Sequence, residues 1–419
     1  MANFSNFIST STNLIRENNS NKFSKLCIEE NELIPGLPND IALECLLRVP
    51  ISCHQTLKLV SNHWKFTLSH PCFFSLRQRY ALAEHLVFLI QPLSSPSPRL
   101  MPTTSKAKVA ELNEVDTRTS LLYNLSIYNS TRKEWRSLSN ITIPTFAQCV
   151  TLPKLGMVIV LGGWDPATLD PVSRVVVIDL AKGIWREGSP MPTARSFFAC
   201  AAAGPATVYV AGGHDGQKNA LRTAEVYDVE ADQWRSLPDM AEERDESHGL
   251  LLSDDSKFWV ISGYGTESQG RFRSDAEIYD PETNTWTRID GVWPHMGHTP
   301  KSTTSALRRW ICMTGGELKE FNFKEKSWKV LNTGSIPKSV SESSSISIVD
   351  MGDDRMMVMG NGEKRGGECN EEGCGGEGIY VLEKTKENQK KDGINWKWEH
   401  VHAPFGYLGF PFSTSNLFI

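Results

Sequence analysis

Val208-Tyr209-Val210-Ala211-Gly212-Gly213, followed first by Val226-Tyr227-Asp228 and then by Trp234, is the phrase that decides the fold. A β-rich run ending in paired glycines reads as a short buried strand with a sharp exit, because glycine tolerates a left-handed backbone and close approach of another chain. Val158-Ile159-Val160-Leu161-Gly162-Gly163, Trp259-Val260-Ile261-Ser262-Gly263 and Trp310-Ile311-Cys312-Met313-Thr314-Gly315-Gly316 repeat it, each with its own following strand: Val177-Ile178-Asp179, Ile278-Tyr279-Asp280 and Glu320-Phe321-Asn322. Trp135, Trp185, Trp234, Trp286 and Trp328 close the successive units at separations of 50, 49, 52 and 42 residues. A fixed period of this size marks a repeat array, in which each unit buries its apolar face against its neighbours. Leu86-Val87-Phe88-Leu89-Ile90 reads as the same strand in an earlier unit, with Gln91-Pro92 where the glycines stand elsewhere, and Arg355-Met356-Met357-Val358-Met359-Gly360 as that strand in a later one. Six units follow, with five as the alternative.

Each unit has room for four short strands, except the first. There the Leu86 strand begins too soon for another to precede it, so 410–417 is expected to supply the missing strand from the far end and cover an open sheet edge. Asn361 to Gly378 is a Gly- and Glu-rich insert and Lys384 to Lys391 a second charged one, both read as loops.

Ahead of the array, Leu33-Ile34-Pro35-Gly36-Leu37-Pro38 leads into Asp40-Ile41-Ala42-Leu43-Glu44-Cys45-Leu46-Leu47-Arg48-Val49-Pro50, a short helix bracketed by prolines. Its apolar residues form two stripes, Ile41/Cys45/Val49 and Leu43/Leu47, more than one core-facing stripe requires. Ser52-Cys53-His54-Gln55 reads as a capping box opening a second helix with Leu57, Val60, Trp64 and Leu68 on one face, and a third helix follows His70-Pro71. So small a core favours a partner that covers the second stripe. The organisation expected is a disordered tail at 1–32, a helical module at 33–78, a linker at 79–85 and the repeat array at 86–419.

Composition narrows the function. Of 419 residues, 44 are Lys or Arg and 49 Asp or Glu, a net charge of −5 that argues against a phosphate-binding surface for nucleic acid. Nine cysteines without framework spacing point to reduced thiols and hence to the cytoplasm or nucleus. Met1 to Asn21, rich in Asn, Ser and Thr, lacks the apolar core of a secretory signal and only faintly matches a transit peptide. No membrane-spanning apolar run is found, so no membrane partner is expected.

Two resemblances then enter. Leu37-Pro38-Asn39-Asp40-Ile41, Leu46-Leu47, Val49-Pro50 and Leu57-Lys58-Leu59-Val60-Ser61-Asn62-His63-Trp64 resemble the F-box, with Asn62-His63 in place of the basic pair often found before the Trp. The fifty-residue unit with its paired glycines and late Trp resembles the kelch repeat, whose units form the blades of a β-propeller. Together they imply an all-β kelch propeller of six blades preceded by a small all-α F-box module. The implied function is that of a substrate-recognition subunit of an SCF-type (Skp–cullin–F-box) E3 ubiquitin ligase, non-catalytic and without cofactor. Leu37, Pro38, Ile41, Leu46, Val49, Pro50, Leu57, Val60 and Trp64 would meet the Skp-type adaptor of the cullin–RING ligase. From 33 to 419, including Phe405-Gly406-Tyr407-Leu408-Gly409-Phe410-Pro411-Phe412, the chain is similar to the plant F-box/kelch-repeat group. That likeness implies turnover of phenylalanine ammonia-lyase, and so regulation of phenylpropanoid metabolism, or of type-B response regulators of cytokinin signalling.

In a four-stranded antiparallel blade, the loop after the second strand and the link to the next blade lie at the same end. Those segments carry Trp164-Asp165, Arg195, His214-Asp215, Lys218, Arg244, Tyr264, Arg271-Phe272-Arg273 and Glu317, and Trp164, Arg195, His214, Arg244, Tyr264, Arg271, Phe272 and Arg273 are the candidates for contacting a protein substrate. The bland alternative for any one of them is a solvated loop residue or a packing group at a strand start. An enzyme is the contrasting class, since some kelch propellers carry an axial metal. Cys369 and Cys374 with His400 and His402, or His295 and His298, are the nearest metal-like sets, and none has a ligand pattern that supports a site.

Overall fold

A computed structural model of the chain describes residues 32–93, 122–138, 141–252, 256–293, 299–306, 309–361, 378–385 and 395–419. The period of about fifty residues becomes six four-stranded sheets, the six blades of the propeller. Blades two to six each take four consecutive strands, beginning with Gln148–Leu152, Ala199–Ala203, His248–Leu251, Thr303–Ala306 and Ile346–Gly352. These first strands pack against one another around the propeller axis. Blade one is completed from the far end: Ser413–Phe418 lies beside His85–Pro92, in the order expected from the missing strand. Side chains then tie that last strand to blade two, with Cys149 N donating to Ser413 Oγ at 3.0 Å and Thr151 Oγ1 donating to the Asn416 carbonyl at 2.5 Å. By contact the chain divides into two units, one comprising Met1–Glu84 with Asp179–Ile184 and Phe418–Ile419, the other His85–Ile178 and Trp185–Leu417.

The repeat signature has local causes. Gly213 N donates to the Arg244 carbonyl at 2.8 Å, and a Cβ on Gly212 would stand 2.3 Å from that same oxygen, at a φ of +70°. Only glycine lets the link into blade four pass so close. The closing indoles bind backward. Trp234 Nε1 donates to the Ser189 carbonyl at 2.8 Å, Trp286 to Pro238 at 2.7 Å and Trp328 to Val292 at 2.8 Å. Trp234 also stacks on Tyr227 of the neighbouring strand, with ring centroids 4.7 Å apart. In blade two Ile178 takes the place of that tyrosine, and Trp185 is left exposed.

Among its described residues the helical unit holds four helices: α1 (Asn39–Leu47), α2 (Ile51–Leu57), α3 (Asn62–Ser69) and α4 (Pro71–Arg79). The expected continuous second helix is broken, because Ser61 accepts a hydrogen bond from Trp64 N and thereby caps a new helix. The Ser52 capping box is not formed: Pro50 precedes α2 and no side chain caps it. Ala42, Leu43, Leu46, Leu47, Leu68 and Phe73 are buried, joined by a polar hub that sequence periodicity does not reveal. Arg77 donates to the Leu47 carbonyl at 2.9 Å and to Glu84 Oε1 at 2.9 Å, and Glu84 Oε1 also accepts from Ile51 N at 3.0 Å. Burial, with the Arg77 charge beside it, pushes the pKa of His54 down to about 4, so His54 packs neutral against Phe73. No helix among the described residues is long and apolar enough to cross a membrane. The tail at 1–31 and most of both inserts lie outside the described residues.

Candidate functional site

At one end of blades two to four, the link before the first strand bridges the loop after the second. The pairs are Thr145 with Trp164, Ser196 with His214 and Asp245 with Tyr264. The residue after each link position, Phe146, Phe197 and Glu246, has a left-handed backbone, with φ of 56°, 56° and 51°. Such conformations cost on the order of 1–3 kcal/mol each in bulky residues, and they hold all three side chains in repeated positions.

The rings converge. Phe146 lies 5.1 Å from Trp164, 5.1 Å from Phe197 and 5.2 Å from Phe412, and Phe197 lies 5.0 Å from Phe412. Trp164 Nε1 donates to His214 Nε2 at 3.3 Å, so the hydrogen of that imidazole sits on Nδ1, which faces Asp245 at 3.0 Å. With Nε2 accepting from an indole N–H and Nδ1 facing a carboxylate, both ring nitrogens are engaged and the imidazole is fixed in orientation. Tyr264 donates to Glu246 Oε1 at 2.9 Å and packs on Phe272 at 5.3 Å; burial, then the Asp245 and Glu246 charges, raise its phenol pKa. Lys218 Nζ lies over Trp164 at 3.5 Å, and burial lowers its pKa despite Asp245 and Asp170. The result is an aromatic rim, Phe146, Trp164, Phe197, Phe272 and Phe412 half-buried over the buried His214 and Tyr264, of the kind that anchors protein interfaces.

Two of the candidate substrate contacts are not on that surface. Arg195 and Arg244 are fully buried. Arg195 donates to the Gly212 and Thr223 carbonyls at 2.9 and 3.0 Å and pairs with Glu225 at 3.0 Å. Arg244 donates to the Ser262 carbonyl at 2.7 Å and pairs with Asp275 at 2.7 Å and Glu277 at 3.0 Å. Both are packing groups at a strand start. Their side chains bind one blade and their carbonyls the blade before it. Arg273 is divided, bonded to Asp275 at 2.9 Å and Glu242 at 3.2 Å, whereas Arg271 is exposed. Phe146, Phe197, Phe412 and Lys301 belong to the rim and were not among the candidates; for the first two, a Phe after each of two successive links, 51 residues apart (197 − 146), was the available signal.

The helical unit presents a second surface. Ile41 is 43% exposed and Val60 62%, with Leu37 and Pro38 also open; Leu59, which was not a candidate, is 85% exposed. Leu46 is core, Val49, Pro50 and Leu57 are half-buried, and Trp64 acts inward, its Nε1 donating to the Leu33 carbonyl at 2.6 Å. Of the two stripes on α1, Leu43/Leu47 faces the core and Ile41/Cys45 faces out. These exposed large apolar groups make this side of the module a candidate interaction surface.

Cys369, Cys374, His295 and His298 lie outside the described residues, and among those described no group of three or more His, Cys, Asp or Glu is placed to hold a metal. His400 and His402 meet edge to face at 4.5 Å.

Comparison with known proteins covers both parts of the chain. The F-box domain model matches residues 34–76 and the kelch motif model residues 195–241 and 252–290. F-box/kelch-repeat protein SKIP20 of Arabidopsis thaliana is 40% identical, over 93% of this chain and 97% of its own. F-box/kelch-repeat protein At2g44130 of the same plant is 40% identical over 93% and 96%, and At1g80440, also an F-box/kelch-repeat protein, 33% identical over 80% and 90%.

Proposed function

The chain belongs to the F-box/kelch-repeat proteins, and from that premise we propose that it is the substrate-recognition subunit of an SCF-type ubiquitin ligase. The family points to a substrate adaptor rather than an enzyme. In this reading Leu37, Pro38, Ile41, Leu59 and Val60 meet the Skp-type adaptor, with Leu46 and Trp64 holding the module that presents them. Trp164, Arg271 and Phe272, with Phe146, Phe197 and Phe412, form the face that captures a protein for ubiquitination and proteasomal turnover, and His214 and Tyr264 support it from beneath. The observation that carries the reading is that one chain joins an F-box with exposed apolar side chains to a propeller with a half-buried aromatic rim. We further propose phenylalanine ammonia-lyase as the captured protein, on the likeness of the whole chain to the plant group, with the cytosol or nucleus as the place of action.

Affinity purification of the tagged chain, with the proteasome and cullin activation blocked, tests this. The lyase should be enriched with the adaptor, and Arg271→Ala/Phe272→Ala should lose the lyase, keep the adaptor and melt as wild type. Enrichment of a type-B response regulator instead would overturn the target and leave the receptor role. Capture that survives changes throughout this face would place recognition elsewhere.

A further inference from the structure

The first strands of the blades enclose an axial channel of about 330 Å³, lined among others by Cys149, Cys200, His248, Lys301, Asp350 and Phe412. Its volume is at the lower end of sites that hold small molecules. Lys301 brings an ammonium into it. Lys301 Nζ lies 3.3 Å from the centroid of the Phe412 ring and 5.0 Å from that of Phe197, and among the described residues no carboxylate stands within ion-pair distance. The acids that act on it are engaged elsewhere, Asp245 with His214 and Glu246 with Tyr264.

The walls hold every shifted group toward its neutral form. Burial pushes Lys301 down to about 7 against Glu246 and Asp245, and His248 down to about 4 with the Lys301 charge adding to the effect. Burial likewise pushes Asp350 up to about 6 and the Cys149 thiol up to about 12. A half-buried lysine over two phenyl faces, with no described carboxylate at ion-pair distance, is a receptor for one negative charge, which would in turn hold it protonated. A dianion such as phosphate would bring a second charge that nothing on these walls neutralises.

We propose that the channel binds a small organic acid, its carboxylate paired with Lys301 and its apolar body packed on Phe412. The ligand is distinct from the protein substrate, with Phe412 bordering both the channel and the rim, and the inference does not depend on adaptor docking.

Phenylacetate is a suitable probe, titrated calorimetrically into the full chain purified with its adaptor, with 2-phenylethanol as its uncharged counterpart. Acetyl-Ala-Glu-Phe-Ala-amide supplies the same carboxylate from a peptide. Phenylacetate should bind saturably and at least tenfold more tightly than the alcohol or the peptide. Lys301→Met should cut that affinity at least tenfold, and Phe412→Leu should weaken it severalfold. Should Lys301→Met fail to fold, Lys301→Gln keeps a polar side chain of similar reach and the same expectation. No saturable binding at millimolar phenylacetate, or equal binding to the Lys301 variants, overturns the proposal; so does Lys301-dependent binding of the peptide alone, which would assign the ammonium to the captured protein. Adaptor retention in the same samples is a separate readout, and its loss would count against the ligase role only.

Discussion

Replacing Arg244 by Met tests how the blades are joined. The side chain is 0% exposed and its guanidinium neutralises Asp275 and Glu277 at 2.7 and 3.0 Å. Asp275 would keep Arg273 at 2.9 Å and Arg288 at 3.0 Å. Glu277 would keep only the backbone N–H groups of Ala241 at 2.7 Å and Glu242 at 3.2 Å, so it becomes the stranded charge. Removing one partner of a buried pair costs about 3–5 kcal/mol. With melting shifts of roughly 2–4 °C per kcal/mol for large domains, the propeller should melt about 6–20 °C lower, toward the lower figure for a domain of this size. Arg244→Met/Glu277→Gln should recover part of the loss, with a coupling energy on the order of 1–3 kcal/mol. The pH dependence has a definite sign. Although burial alone would raise the Asp275 pKa, Arg244 and Arg273 hold it below its ordinary 3.8, so its contribution is complete above that value and disappears as pH falls through the folded-state value. The Asp275 part of the gap between wild type and variant is therefore constant above about pH 5 and narrows in stronger acid. Differential scanning calorimetry over that range reads all of this. A single variant that melts within 1–2 °C of wild type, by the same roughly 2–4 °C per kcal/mol, would refute the claim that this arginine clamps blade four.

Deleting residues 407–419 should remove the first strand of blade one and the Ser413 and Asn416 bonds to blade two, giving aggregation or a large fall in melting temperature; a normal melt would mean closure lies elsewhere. Lys301, held near 7 by burial in the folded chain and titrating at 10.5 otherwise, makes stability rise with pH between those values. Lys301→Met should flatten that slope in pH-dependent melts, and an unchanged slope would show that its ammonium is not desolvated. Trp64→Phe should lose the bond to the Leu33 carbonyl and about 1 kcal/mol from the helical unit, as judged by chemical denaturation, while the propeller transition stays unmoved.

The blades were legible because a repeat writes its fold several times over: paired glycines, a late Trp and the missing first strand near Leu86 together led to six blades and closure from the C-terminal strand. The buried arginines were not legible as such, because Arg at a loop position reads the same whether it turns outward or inward. Their partners carried the signal. Glu225 and Glu277 each interrupt an apolar strand, Ala224-Glu225-Val226 and Ala276-Glu277-Ile278, and each is buried. A charge inside a core strand implies a countercharge, which identifies Arg195 and Arg244. The break before α3 was likewise written in Ser61, an N-cap residue that helical periodicity from Leu57 through Trp64 overrode. The rim's dependence on Phe412 joins residues at opposite ends of the array, and no local pattern encodes it.

Equilibrium binding of the full chain to a recombinant Skp-type adaptor, compared with Ile41→Asp/Val60→Asp, tests the ligase role most directly. Both side chains are open on the surface, so the change should leave the propeller melt unaltered. Two central apolar anchors are each worth about 2 kcal/mol or more, which predicts saturable binding by wild type and a loss of at least about 100-fold in the variant. Absence of wild-type binding, or equal affinity in the two proteins, would contradict the account.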